Sequence, residues 1–187
     1  MGEDRKQRAS MLAGAVGLVL LMAPLAGVAE ISKELVVRYL LATVHAFRTV
    51  YVEQVTERVS KDGILPKEDR MKDDHALMLP FQFVKMAGQE MKSLEKDVEV
   101  GLVSLTPLYS SNFPKTEKEV NALKELMADP TRKIVTFADG KDFKGLAADF
   151  AIERSCVDCH NHHPNSVKKD FKKGDMMGAI VVRLKKS

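Results

Sequence analysis

The residues of this chain best suited to chemistry are two cysteines and a histidine near its C-terminus. Cys156 and Cys159 are separated by two residues, and His160 follows at once. This spacing is the attachment signature of c-type haem. Each thiol can add to one vinyl group of the porphyrin, and His160 is then delivered to the iron as its proximal ligand. Because the chain of 187 residues contains 2 cysteines in all, the signature predicts one covalently bound haem c.

A Cys-x-x-Cys pair is also typical of two other kinds of site. A thioredoxin-like redox pair lies at the start of a helix that follows a strand. The residues before Cys156 are predicted to form a strand, but residues 161–166 are predicted to form a loop, which disfavours that site. A structural zinc site usually has four ligands, and a second such cysteine pair is missing. His162 and His163 complete a zinc site only in a cramped geometry.

The N-terminus predicts export from the cytoplasm. Three basic residues within the first eight precede an uncharged run from Met11 to Ala29, which ends in small residues. This pattern is typical of a secretory signal peptide, here residues 1–29. The run is also just long enough to span a bilayer, so an uncleaved anchor is the alternative, and Pro24 favours cleavage. We therefore predict a periplasmic protein, soluble or anchored by its N-terminus, in the compartment where haem c is attached.

Length and charge limit what the remaining residues 30–187 can be. They are enough for one domain with a core and too few for two. The whole chain carries 29 Lys and Arg against 26 Asp and Glu. Subtracting the three basic and two acidic residues of the signal peptide leaves 26 against 24, a net charge of +2. So small an excess of positive charge argues against a nucleic-acid partner.

A long helix is predicted at the start of this domain, from Glu30 to Lys61. Apolar residues recur there at helical spacing, and Gly63 is expected to end the helix. The predicted core face comprises Val36, Leu40, Val44, Phe47, Tyr51 and Val55. Because the helix is longer than the globular norm, we also predict that it is either a stalk-like first helix or the site of a homodimer contact.

The later elements alternate between helices and strands, so the predicted class is α+β. Thr116 and Glu119 form a capping box that opens one helix, and Asp139-Gly140 supplies a hairpin turn. The predicted elements are a helix from Phe81 to Asp97, a strand from Val98 to Leu105, a helix from Thr116 to Asp129, a hairpin from Lys133 to Glu153 and a closing strand from Met177 to Leu184. The haem is predicted in a loop between the last two strands.

The C-terminal residues resemble those of a known family. Residues 156–171 read CVDCHNHHPNSVKKDF, which fits the pattern CxxCHNxHP, and residues 174–179 read GDMMGA, a turn into the last strand. This block is similar to haem-binding sensor domains with a PAS-like fold. Such domains are found in the periplasmic parts of bacterial chemoreceptors, histidine kinases and nucleotide cyclases, and as stand-alone proteins. Residues 46–51 and 76–80 resemble, more loosely, the first helix and the apolar-proline segment of that family.

The resemblance carries expectations about fold and site. It implies an antiparallel or mixed sheet with a long N-terminal helix and flanking helices, and haem in the loop before the last strand. It implies covalent haem through Cys156 and Cys159, with His160 as proximal ligand. His163 belongs to the same haem-binding motif. We expect it to support the loop, because from there it cannot cross to the other face of the macrocycle.

The ligand on the opposite side of the iron determines what the haem can do. Met78 and His75 are the candidates, because they lie in an irregular segment that can turn toward the iron. The ordinary alternatives are Met78 as core filler and His75 as a surface residue. Two positions depart from the family pattern. Met78 stands where proline is expected, and His162 stands where a small polar residue is commoner.

Three functions are compatible with these residues. The first is a monohaem cytochrome that carries single electrons as a subunit or partner of a larger redox complex. A membrane complex is one candidate for that partner. The chain ends at Ser187, directly after the last strand and without a signalling output region, and this favours the first function. Lys168, Lys169, Lys172 and Lys173 are then a candidate docking patch, or simply a solvated loop. The second function is a redox or gas sensor for NO or CO that acts through a separate partner. The third is an enzyme, which we do not expect because no acid–base constellation accompanies the motif.

Overall fold

The computed structural model describes residues 31–64 and 77–186 of the chain. Two predictions fall outside these ranges, namely the signal peptide at residues 1–29 and His75 as an iron ligand. The predicted helices, strands and hairpin lie almost entirely inside them.

The long N-terminal helix forms as predicted, but it presents a different face to the core. It comprises α1 (Lys33–Val50), a π-helical stretch (Tyr51–Thr56) and α2 (Glu57–Lys61). The Ser32 side chain caps its N-terminus by accepting a hydrogen bond from the Leu35 amide. Gly63 follows the helix with a positive φ of 82°.

The predicted core face of the helix is wrong by about one residue. Val37, Leu41, Val44 and Arg48 are buried in α1, whereas Phe47 is 61% exposed. Of the predicted positions in α1, only Val44 is buried. The buried face contains a charged residue, so counting apolar residues selected the neighbouring face, on which more of the side chains are apolar.

The π-helical stretch keeps the buried side chains in line. Buried positions follow one another at intervals of four from Val44 through Arg48 and Val52 to Thr56. In a regular α-helix each such interval drifts by about 40° around the axis. The wider turns of the π-helix reduce that drift, so that Val52 and Thr56 still face the protein interior.

The remaining elements follow the predicted order. The first of them begins at Pro80, one residue before the predicted start at Phe81, because a proline in the first turn of a helix has no N–H bond to lose. These elements are α3 (Pro80–Leu94), β1 (Val98–Val103), a 3₁₀ turn (Ser110–Asn112), α4 (Glu117–Ala128), β2 (Ile134–Asp139), β3 (Asp142–Phe150), α5 (Arg154–His162) and β4 (Met176–Leu184). Gly140, with a φ of 62°, takes the first place in the two-residue turn between β2 and β3.

The four strands form one sheet in the order β1-β4-β3-β2, and every pairing is antiparallel. The α+β class is therefore confirmed, and among the described residues the sheet is antiparallel rather than mixed. The closing strand β4 lies inside the sheet, where Ile180 and Val182 pack with α1 on one face. Ala179 and Val181 pack with α4 on the other face. Because α1 and α4 cover opposite faces, β4 is buried on both sides.

A buried ionic cluster joins α4 to the sheet. Glu119 is fully buried, and its Oε1 accepts hydrogen bonds from Lys144 Nζ and Arg183 Nε, each at 3.0 Å. Its Oε2 accepts from the Lys115 amide at 2.8 Å. Thr116 caps α4 as predicted, since its hydroxyl accepts from the Glu119 amide at 3.3 Å. The cluster therefore caps the helix and anchors it on β3 and β4.

Gly88 is expected to tolerate no side chain, because the backbone of β1 lies against it. A Cβ at this position would lie 2.5 Å from the carbonyl oxygen of Val100, which is backbone and cannot rotate away. We expect Gly88→Ala to lower the free energy of unfolding by about 1–3 kcal/mol. Urea denaturation measures this. Gly101→Ala is the control, because its Cβ would meet only Val181 Cγ1 at 3.9 Å. Equal stability of the two variants would contradict the prediction.

Candidate functional site

The cysteine–histidine motif lies on a helix, not in the predicted loop. Helix α5 begins after Glu153 and ends at His162, immediately before the residue that precedes Pro164. Residues three and four apart in a helix lie on one face. Cys156, Cys159 and His160 therefore share one face of α5, and the connection between β3 and β4 presents all three in one direction.

This helix removes one argument against a thioredoxin-like redox pair. Cys156 lies in the first turn of α5, which follows strand β3, so the predicted loop no longer disfavours such a pair. The two cysteines form no disulfide. A haem site and a redox pair are therefore distinguished by the cavity in front of the helix and by the protonation state of His160.

A cavity of about 520 Å³ lies against the motif, and Cys156, Cys159 and His160 all line it. Its volume lies within the usual range for small-molecule and cofactor sites. The opposite walls come from the N-terminal helix, from residues 79–84, from residues 102–112 and from the start of β4. The site is therefore assembled from segments that are far apart in the sequence, and most of its wall is apolar.

His160 is held in the form that binds metals. Burial is the main cause that lowers its pKa to about 4, and the nearby charges of His163 and Arg48 lower it further. The imidazole is therefore neutral at physiological pH, as a metal ligand must be. Its Nδ1 is buried and has no hydrogen-bond partner among the described residues. A neutral imidazole with an unsatisfied nitrogen beside two thiols fits the donor set of haem c.

Phe171 and Asn161 hold this helix in place. The Asn161 side chain accepts a hydrogen bond from the Phe171 amide at 2.9 Å and donates one to the Phe171 carbonyl at 3.0 Å. The Phe171 ring is buried and meets His160 edge to face at 5.5 Å. No role was predicted for Asn161, although its place in the CxxCHNxHP pattern was a signal. Its two hydrogen bonds orient the segment that follows the helix.

His163 supports the wall of the cavity without lining it. Its Nδ1 accepts a hydrogen bond from the Asn165 amide at 3.1 Å, and its Nε2 lies 3.4 Å from the Tyr109 hydroxyl. Tyr109 does line the cavity and packs on Phe81. The contacts of His163 are thus those of a residue that supports its segment. His162 is exposed, and its Nδ1 lies 2.8 Å from the Asp158 carbonyl oxygen of its own helix.

Met78 lies beside the cavity but does not line it. Its carbonyl oxygen accepts a hydrogen bond from the Tyr51 hydroxyl at 2.7 Å, and its side chain is half-buried. The next residues, Leu79 and Pro80, do line the cavity. Either Met78 or His75 as the second axial ligand stays a prediction.

A buried ion pair lines the same cavity, and sequence reasoning missed it. Arg48 Nη2 lies 3.0 Å from Asp149 Oδ1, and both side chains are largely buried. Burial raises the pKa of Asp149, while the positive charge of Arg48 acts against that rise. Arg48 Nη1 and Thr56 Oγ1 are buried without a hydrogen-bond partner among the described residues. Such donors suit a carboxylate, and haem carries two.

The comparisons with known proteins agree with this architecture. Residues 29–184 match the model of the family described as Tll0287-like. Among solved structures, the chain is similar to the crystal structure of the cyanobacterial heme-protein Tll0287, with 16% sequence identity and a TM-score of 0.55. The match covers 84% of this chain and 98% of that one. At this identity the likeness bears on the fold alone, and it is consistent with the predicted PAS-like fold. A search of curated proteins found no match.

Proposed function

Because the chain belongs to the Tll0287-like family, we propose that it binds one haem and carries single electrons in the periplasm. The solved structure similar to this chain is that of a cyanobacterial heme-protein, Tll0287. The observation that carries the proposal is the convergence of Cys156, Cys159 and a neutral, half-buried His160 on one wall of a cavity of about 520 Å³. We propose a carrier rather than an enzyme.

The residues of α5 divide the work of holding the haem. Cys156 and Cys159, three residues apart on one helix face, would hold the two vinyl groups of the haem as thioethers. His160, one residue further, would supply a nitrogen ligand for the iron, and Phe171 packs against the His160 ring. Arg48 and Thr56 would offer hydrogen-bond donors to the carboxylates of the haem. When bound, haem supplies a one-electron iron couple.

The surface beside His160 carries a group of lysines that suits an acidic protein partner for electron transfer. Lys168 Nζ lies 4.5 Å from the centre of the Phe171 ring, and that ring contacts His160. Lys168 also pairs with Asp170, and Lys173 pairs with Glu153. Lys169 and Lys172 are exposed and extend the same segment into solvent. We propose this segment as the place where an acidic redox partner docks.

A sensor of redox state or of small gases is the second candidate. The placement of Met78 outside the cavity lining favours it, because an iron without a second protein ligand can bind NO or CO. The chain would then signal through a separate partner. The reduced spectrum distinguishes the two functions. A six-coordinate, CO-resistant iron is expected for the carrier, and a five-coordinate iron that binds CO rapidly is expected for the sensor.

Haem attachment itself is tested by mass and absorbance. We expect the protein, expressed with its own leader in a host that matures c-type cytochromes, to gain the mass of one haem. The gain should survive denaturation and acid extraction, because thioether bonds are covalent. The variant Cys156→Ala/Cys159→Ala is the control and should lose the covalent mass. Wild-type protein at apoprotein mass without Soret absorbance would overturn the proposal.

Reversing two lysine charges is expected to slow electron transfer. We expect Lys169→Glu/Lys172→Glu to lower the rate with an acidic partner roughly tenfold at low ionic strength and to weaken its salt dependence. Stopped-flow mixing with the reduced partner measures the rate. Lys124→Glu/Lys141→Glu, which changes exposed lysines elsewhere by the same net charge, is the matched control. Equal slowing in both variants would show that only net charge matters.

A further inference from the structure

The outward face of α1 carries an apolar stripe, which we call the outer stripe. It lies opposite the buried face and consists of Leu35, Tyr39, Ala42, Ala46 and Val50, all exposed. Leu35, Tyr39 and Val50 are 39%, 63% and 55% exposed. The intervals of four, three, four and four residues keep these side chains on one side of the helix. Intervals of this kind are typical of a helix that packs against another helix.

The exposed apolar residues of the described chain are concentrated here. Eleven large hydrophobic side chains are exposed, and four of them lie in α1, with Ile31 just before it. By length and composition, the helix from Lys33 to Lys61 is apolar enough to cross a membrane, yet only 28% of its most apolar window is buried. The reason is that both faces are apolar, the inner one in the core and the outer one in solvent.

The charges beside the outer stripe are of opposite sign at its two ends. Arg38 and Glu53 are exposed and fifteen residues apart, about four helical turns, so they lie along the same edge. A twofold axis perpendicular to the helix and passing between residues 45 and 46 places residue 38 of one copy level with residue 53 of the other. Arg38 of one copy then meets Glu53 of the other, and the contact occurs twice. The stripe is thus complementary to itself in an antiparallel arrangement.

We propose that a second copy of this chain covers the outer stripe in an antiparallel, twofold-symmetric dimer. Ala46 lies next to the axis, where its small side chain lets the two helices approach closely. A membrane surface is the poorer occupant, because the helix face lacks the excess of basic residues that binds anionic lipid. The sheet packs on the inner face of α1, so lipid cannot surround this helix. The proposal does not depend on haem.

The arrangement of the two helices is tested by disulfide crosslinking. In the antiparallel dimer, the two copies of residue 46 lie side by side, whereas the two copies of residue 35 are about 30 Å apart along the axis. We expect Ala46→Cys in the exported protein to form a 46–46 disulfide under mild oxidation, identified by peptide mass. Leu35→Cys should not crosslink to itself. Crosslinking of both variants would indicate parallel helices and overturn the proposed geometry.

The charge pairing is tested by a charge swap and sedimentation velocity. We expect Arg38→Glu to raise the dimer dissociation constant roughly tenfold or more, because two attractive contacts become repulsive. Glu53→Arg should do the same, and the double variant Arg38→Glu/Glu53→Arg should restore dimerisation. Lys124→Glu, at an exposed position of α4, is the matched control and should leave the constant unchanged. A monomeric wild-type protein at all concentrations would overturn the proposal, as would binding of the monomer to lipid vesicles or a stripe covered by residues 11–29 of the same chain.

Discussion

Replacing His160 with alanine is expected to change the iron site while leaving the haem attached. If the proposed function is right, Cys156 and Cys159 keep the thioether bonds, and the variant loses a nitrogen ligand at a half-buried position. Since axial ligands set haem potentials over a range of about 0.8 V, we expect the midpoint potential to move by on the order of 0.1 V. The reduced absorption spectrum should lose the features of histidine ligation. Spectroelectrochemistry measures both, and added imidazole should partly restore the spectrum by entering the cavity.

The control for this variant lies two residues away. His162 is exposed, and its described contact is with the Asp158 carbonyl oxygen of its own helix. His162→Ala should therefore leave the spectrum and the potential close to those of the wild-type protein. An unchanged spectrum in His160→Ala, or equal changes in both variants, would contradict the role of His160 as the proximal ligand.

Replacing Glu119 with alanine is expected to cause a large loss of stability. The carboxylate is fully buried and accepts hydrogen bonds from Lys144 and Arg183, which are themselves buried. Without it, Arg183 keeps its charge and loses its described ion-pair partner. Breaking a buried ion pair in this way costs about 3–5 kcal/mol, which corresponds to a fall in Tm of roughly 10 °C for a domain of this size. Urea and thermal denaturation measure the loss.

Two further variants separate this effect from a general weakening of α4. Glu117 lies in the same first turn but is exposed, so Glu117→Ala should change stability by no more than about 0.5 kcal/mol. Glu119→Gln keeps the shape and removes the charge. If Glu117→Ala and Glu119→Ala are equally destabilised, the ionic cluster is not the cause.

The same cluster predicts how stability depends on pH. Burial raises the pKa of Glu119, but hydrogen bonds from Arg183, the Lys115 amide and Lys144 outweigh it and hold the pKa below its ordinary value of 4.5. Below that value the unfolded chain binds the proton more readily than the folded protein. The contribution of Glu119 is therefore fully present above about pH 4.5 and is lost as the pH falls further. The difference in stability between wild type and Glu119→Gln should shrink between pH 5 and pH 3.

Elements with strong local signals were predicted well. The Thr116 cap, the hairpin turn at Gly140 and the strands β3 and β4 are formed as expected, because each depends on neighbours within a few residues. Helix α5 was missed because its stability does not depend on neighbouring residues alone. Its sequence is polar and is followed closely by Pro164, so the local pattern indicates a loop. Packing of Cys156 in the cluster that contains Phe171 stabilises a helix instead.

The sequence by itself determined which residues are proposed to attach haem, since attachment depends on two thiols and a histidine within five positions. It also determined the α+β class, because helical and strand periods are local properties. Only the tertiary structure decided which face of α1 is buried and that Arg48, Asp149 and Thr56 reach the same cavity as His160. Those residues belong to separate elements, and the burial that lowers the pKa of His160 comes from chain segments on every side. Burial and charge pairing of this kind are properties of the packed molecule, and no window of neighbouring residues contains them.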